Sequence, residues 1–438
     1  MTALCRAALA TPALLAILLL AAPAVADDWP GWRGPGRDGV STETGLLSEW
    51  GPGGPPLAWK SSGIGAGLSS VAVVGERIYT MGDKDGSQHV FGLSRGDGRI
   101  LWKTRIGATH DTRRGGPRST PTVDGDRVYA LGTEGELVCL EAASGKEVWR
   151  KSLPGDFGGK MMSGWKWSES PLVDGDRLVF TPGARDAALV AVDKMTGREI
   201  WRAAIPALGP NGRDGAAYSS IVVSRAAGVK QYVQLLGRGL VGIRASDGKY
   251  LWGYNRVANR TANVSTPIVT GNLAFAATGY QTGSALLELE ASGDGVAARE
   301  RYFLDSKTLQ NHHGGLVLVE GHLYAGQGHN KGFPICVELE SGKVAWGGDI
   351  RNAGTGSAAV LYADGRLYFR YENGVILLID ASPSGYQEKG TLEIPNVTRP
   401  SWPHLAISDG LLYVREQDDL YCYDLRDSSG KSANIRTR

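Results

Sequence analysis

The chain has 438 residues, with 47 basic and 45 acidic side chains and a formal charge of +2. So even a balance excludes the electrostatic footprint of a nucleic-acid binder or of a protein held on an anionic membrane. Its 62 glycines and scant helical periodicity favour many short strands over helices.

In chain order, residues 1–26 carry Arg6 ahead of the apolar run ALLAILLLAAPAVA and close on Ala24-Val25-Ala26, the layout of a secretory signal peptide. The apolar centre is short of the ~18 residues that spanning requires. Asp27-Asp28-Trp29 follows, where a lipid anchor would need a cysteine, so a soluble periplasmic or extracellular protein is expected. Residues 27–54 read as an extended leader, 55–427 as one domain and 428–438 as a disordered polar tail. Beyond the signal, Cys139, Cys336 and Cys422 are an odd, widely spaced set, which argues against a disulfide framework.

The domain is built from one repeated unit, seen whole in GDRVYALGTEGELVCLEAASGKEVWR (125–150). Its closing half, CLEAASGKEVW, returns as GLSRGDGRILW (92–102), AVDKMTGREIW (191–201), GIRASDGKYLW (242–252) and CVELESGKVAW (336–346). Its opening half recurs from STPTVDGDRVYA (119–130) to HLAISDGLLYV (404–414). Short alternating apolar runs split by Asp-Gly or Glu-Gly predict four antiparallel strands per copy. Copies starting near Ser69, Ser119, Ser170, Ser219, Ser265, Gly314, Ser357 and His404 predict an all-β, eight-bladed β-propeller. The last copy lacks its closing strand, and PPLAWK (55–60) is the strand that completes it. Trp59, Trp102, Trp149, Trp201, Trp252 and Trp346 are expected to dock each blade on its neighbour. The three cysteines share one small-residue position and read as buried structural thiols. The fifth copy, with Tyr302 in place of tryptophan, and the seventh, with no aromatic there, are expected to pack less regularly.

The spacing Ala-x-Asp-x-x-Thr-Gly-x-x-x-Trp, cleanest in AVDKMTGREIW, resembles the docking motif of the PQQ-like, quinoprotein-type propeller repeats, over essentially all of 55–427. One branch of that superfamily is the dehydrogenases that use pyrroloquinoline quinone (PQQ) with calcium. The other is non-catalytic and includes the BamB group of outer-membrane assembly. The leader WPGWRGPGRDGVSTETGLL (29–47) also looks like that of secreted PQQ-like propellers. The adjacent cysteine pair of the dehydrogenases is absent, and so is the lipidated cysteine of the BamB group.

Loops between blades converge around a propeller's channel, so their side chains meet although distant in sequence. Here they offer Arg113, Arg114, Arg118, Trp165, Trp167, Glu169, Tyr218, Arg260, Asn263, His312, His313, Arg399, Trp402 and His404 as a mouth for an anionic or planar ligand or a partner. The bland alternative for each is a polar loop residue satisfied by its neighbours. His312 and His313, adjacent on an extended chain, should face opposite ways, and no carboxylate stands near them in sequence, so no metal site is expected. GIGAG (63–67) leads into a strand and not a helix, and the VDGDR segments lack the alternating oxygens of a calcium loop, so both read as turns. No cofactor is expected, with PQQ and calcium as the exception to test. The favoured reading is a monomeric, non-catalytic scaffold that binds a protein or cell-envelope component through its loop face. The other is a periplasmic quinoprotein-type oxidoreductase or sugar-binding enzyme using the channel mouth.

Overall fold

Alternating apolar residues and glycine-rich turns do give short strands throughout. The computed structural model describes residues 28–110 and 115–427; the expected signal peptide and polar tail lie outside them. Eight four-stranded antiparallel sheets form the blades of a propeller. They span residues 72–108, 122–152, 172–203, 222–254, 268–305, 316–347 and 358–393 for blades 1 to 7, and 406–424 with Leu57–Ser62 for blade 8. Every innermost strand starts within three residues of the position read from the repeat. The Asp-Gly turns behave as expected, with Gly125 and Gly175 at φ 56° and 65°, a region open to glycine at little cost. Leu57–Ser62 pairs with Asp419–Asp424 and sets Trp59 opposite Cys422, so the strand nearest the N-terminus closes the last blade.

The fifty-residue period becomes a hydrogen-bond period. At the start of successive inner strands, the Ser70 N–H donates to Thr120 Oγ1 (3.2 Å), Thr120 N–H to Ser170 Oγ (2.9 Å) and Ser170 N–H to Ser220 Oγ (3.0 Å). Blades 2, 3 and 4 thus each satisfy a buried amide of the one before.

The outer ring docks through the tryptophans. In six blades the small residue of the third strand faces the indole of the fourth: Gly92–Trp102, Cys139–Trp149, Ala191–Trp201, Gly242–Trp252, Cys336–Trp346 and Cys422–Trp59. A Cβ added at Gly92 would lie 2.3 Å from the Trp102 ring, which is why the position stays small. Trp102, Trp149, Trp201 and Trp346 donate their indole N–H to a carbonyl of the following blade, at 3.2, 3.0, 3.2 and 2.8 Å. Trp252 turns instead to Gln231 Oε1 in its own blade, at 2.6 Å. Trp149 is only half-buried, whereas Trp201 and Trp252 are buried. Burial pushes the thiols of Cys139 and Cys422 up to about 12 and that of Cys336 to about 11, as suits inert packing groups.

Blades 5 and 7 correct the expectation of irregular packing. The Tyr302 hydroxyl donates to Leu339 O in the next blade at 2.7 Å, the same bond the indoles make. In blade 7 the equivalent position is Gly390, paired with Leu378, and the docking ring comes from the leader. Trp50 donates its backbone N–H to Lys389 O (2.8 Å), and a Cβ on Gly390 would sit 2.4 Å from its Cβ. Its ring packs 5.7 Å from Tyr368, matching the 6.1 Å of the Trp149–Tyr129 pair.

The leader also stops the channel at the end carrying the inner hairpin turns. Trp29 exchanges backbone hydrogen bonds with Val73, and Pro30 O accepts from Val123 N–H. The Arg37 guanidinium donates to Ile221 O (2.8 Å), Pro171 O (3.1 Å) and Ser170 O (2.6 Å), Trp32 Nε1 to Thr266 Oγ1 (3.0 Å), and Arg33 to Leu316 O. Ser41 N–H reaches Tyr362 O, and Glu43 accepts from the Asp409 and Gly410 amides. One segment, coiled in turns over residues 31–39, therefore touches all eight blades. Burial lowers the pKa of both arginines to about 10, so they remain charged at neutral pH.

Candidate functional site

With its floor closed by the leader, the channel is a blind cup with a cavity volume of about 130 Å³, opening at the loop end. Trp32 and Arg33 lie at its base with Leu68, Ser265, Thr266 and Gly315, which precede inner strands. The loops add Arg118, Trp165, Ser168, Tyr218, Ala262, Val264, Tyr280, His312, His313, Trp402 and His404. The interblade loops can build this wall because each leaves an outer strand and returns to the axis, so that seven blades contribute to one rim.

The wall is aromatic and largely interlocked. Trp165 packs on Tyr218 (5.9 Å), whose hydroxyl meets Ser163 Oγ at 2.6 Å, and Arg118 Nη1 donates to Trp165 O at 2.9 Å. Trp402 lies 4.7 Å from His313, and Trp32 lies 4.4 Å from His404. Burial, reinforced by the Arg33 charge, holds His404 well below the ordinary histidine range, so it stays neutral. Arg33 is 4 % exposed, and its Nε and Nη1 make no hydrogen bond. A buried guanidinium with unmatched donors at the base of a cup favours an anionic guest.

Seven of the residues expected at the mouth meet here: Arg118, Trp165, Tyr218, His312, His313, Trp402 and His404. Others do not. Trp167 packs in the core shared by blades 2 and 3. Glu169 is buried, accepting from Thr181 N–H (2.7 Å) and Thr181 Oγ1 (2.9 Å), and burial pushes its pKa up to about 8 against those bonds and Arg37. Asn263 is buried and donates to Leu236 O and Gly237 O. These three are scaffold, with their polar atoms or rings directed into the fold. Arg260 and Arg399 are exposed outside the cup, and Arg113 and Arg114 lie outside the described residues.

The expected geometry of the histidine pair is also corrected. The backbone bends at 312–314, so the two rings lie on one side, 4.2 Å apart. A carboxylate does stand beside them: Glu372 Oε1, from blade 7, is 3.3 Å from His313 Nε2. His312, His313 and Glu372 each present a ligand atom within 4.8 Å of the others. His312 Nδ1 meets Ser357 Oγ at 2.8 Å and its Nε2 meets the Tyr280 hydroxyl at 3.1 Å. His329 packs against His312 with ring centroids 4.1 Å apart. Sequence reasoning missed Trp32, Arg33, Tyr280, His329 and Glu372. The first two sit in the leader and the others in the turns between the second and third strands of blades 5, 6 and 7, outside the interblade loops.

A family profile described as outer membrane protein assembly factor BamB matches residues 86–348, more than half of the chain. The chain belongs to that family. Among curated BamB proteins, that of Kangiella koreensis is 30% identical over 139 residues, covering 30% of this chain and 31% of the relative. That of Nitrosomonas eutropha is 27% identical over 139 residues, covering 31% and 28%. The matched stretch is thus under a third of either BamB relative. In three dimensions the chain is similar to the quinohemoprotein alcohol dehydrogenases of Pseudomonas putida HK5 (TM-score 0.61) and Comamonas testosteroni (0.60). Each is 14% identical and covers 92% of this chain and 81% of the dehydrogenase, a likeness of fold alone. No helix among the described residues is long and apolar enough to cross a membrane.

Proposed function

We propose that this BamB-family propeller is a non-catalytic binding protein of the cell envelope, acting in the periplasm, whose loop face engages a protein partner and whose cup receives a group projecting from it. The observation that carries this reading is the blind cup itself, with tryptophans on its walls and the unmatched Arg33 donors at its base. Such a recess suits an aromatic or acidic side chain, since indoles stack on flat groups and a guanidinium pairs with a carboxylate. A buried anchor in a pocket, ringed by polar loops, is the arrangement that concentrates binding energy at protein interfaces. The relatives' description as assembly factors points the same way.

A calcium–quinone centre fits the donors poorly. Calcium takes six to eight oxygens, whereas no carboxylate lines the cup among the described residues, and imidazoles dominate the wall nearest Glu372. The test compares wild type with Arg118→Ala and Trp402→Ala in capture from envelope extracts, with PQQ and calcium added in a parallel arm. A partner held by wild type and lost by both variants supports the reading. Equal capture by all three, or a bound-quinone absorbance with dye-linked alcohol oxidation, overturns it.

A further inference from the structure

We propose that His312, His313 and Glu372 form a binding site for a divalent transition-metal ion of the imidazole-preferring class, with zinc as the reference ion. The inference rests on this cluster and not on the partner reading. Bonds of about 2.0–2.1 Å in a tetrahedral zinc site set its ligand atoms roughly 3.3 Å apart. His313 Nε2 and Glu372 Oε1 already stand at 3.3 Å as a half-buried pair, the separation that two ligands of one tetrahedral ion would have. The third ligand atom lies within 4.8 Å of these.

The surroundings are those a metal site requires. Metal-bound imidazoles usually donate their second N–H to an oxygen that fixes the ring. His312 Nδ1 has Ser357 Oγ at 2.8 Å for that purpose, leaving Nε2, now beside the Tyr280 hydroxyl, as the ligand atom. His329, the adjacent imidazole, has an unpaired Nδ1. Two imidazoles and one carboxylate suit zinc, copper or nickel, not calcium or magnesium. With three protein ligands the ion keeps an open position. His312 and His313 both line the cup, so that position is available to a carboxylate or imidazole of a guest.

The experiment uses the full chain without a histidine tag, stripped by chelator and titrated with zinc chloride alone in a calorimeter, with metal content measured after dialysis. Wild type should take up one equivalent with a dissociation constant in the micromolar range or below, and the affinity should fall as the pH is lowered, because protons compete for the same donor atoms. His313→Ala and Glu372→Gln should each weaken binding at least tenfold, while the metal-free variants melt with wild type and zinc raises the melting temperature of wild type only. Absence of stoichiometric uptake by wild type overturns the proposal, whether or not a variant folds. So does uptake that survives both substitutions.

Discussion

On the floor of the channel the Arg37 guanidinium gives three hydrogen bonds to carbonyls of blades 3 and 4, and the Trp29 ring is buried among blades. At the mouth Arg118 holds one loop carbonyl while lining open space, and Trp165 and Trp402 stay half-exposed. The same residue types are structural at one end and presented at the other, and what separates them is whether the backbone around them is already satisfied. The starts of the inner strands leave carbonyls turned toward the axis, which the leader's arginines complete. The interblade loops satisfy one another and leave rings and imidazoles facing the cup.

This contrast is broken most readily at the floor. Arg37→Ala leaves three buried acceptors unmade, at roughly 1–3 kcal/mol each, so a loss of about 3 to 9 kcal/mol is expected in denaturant unfolding. A loss below about 1 kcal/mol would mean the leader is not needed to hold the ring. Trp50→Ala, which empties the docking site of blade 7, should cost about 3 to 5 kcal/mol. The half-buried Trp149→Ala should cost less, about 2 kcal/mol, and the reverse order would remove the case that the leader supplies a true docking ring.

Glu169 lies between the two ends and sharpens the boundary through pH. Burial raises its pKa to about 8 in the folded chain against about 4.3 when exposed, so the native state holds the extra proton between those values. Stability from this group is therefore present at low pH and lost as pH rises toward 8, with a slope of at most about 1.4 kcal/mol per pH unit. Glu169→Gln should flatten the wild-type decline between about pH 5 and 8, read from chemical denaturation at several pH values. An unchanged slope would mean that Glu169 is ionised in the fold. The smallest effect belongs to the mouth: metal-free His313→Ala should change stability by no more than about 0.5 kcal/mol, and a large drop in melting temperature would make that imidazole part of the scaffold.

The repeat made the blades legible, because each strand and turn answers to local pattern: Trp149 opposite Cys139, Gly125 in its hairpin, and Trp59 returning to Cys422. It misled where a residue's partner comes from elsewhere in the chain. Blade 7 looked incomplete until Trp50 filled it from 340 residues away, as its ring needs only the space above Gly390 and not a place in the motif. Half of the candidate mouth was legible, since interblade loops must converge. Trp167, Glu169 and Asn263 come from those same loops and turn into the fold, and no pattern marks which way a loop side chain points.

The sequence by itself determined the number of blades, their strand order, the closing strand and the fate of the cysteines, because these follow from short-range periodicity and backbone conformation. Tertiary structure alone decided that the channel is a cup and not a tunnel, and that Glu372 stands beside His312 and His313. Both depend on where separate segments arrive at a common axis, which is fixed by ring closure and the packing of whole blades, not by the residues next in line.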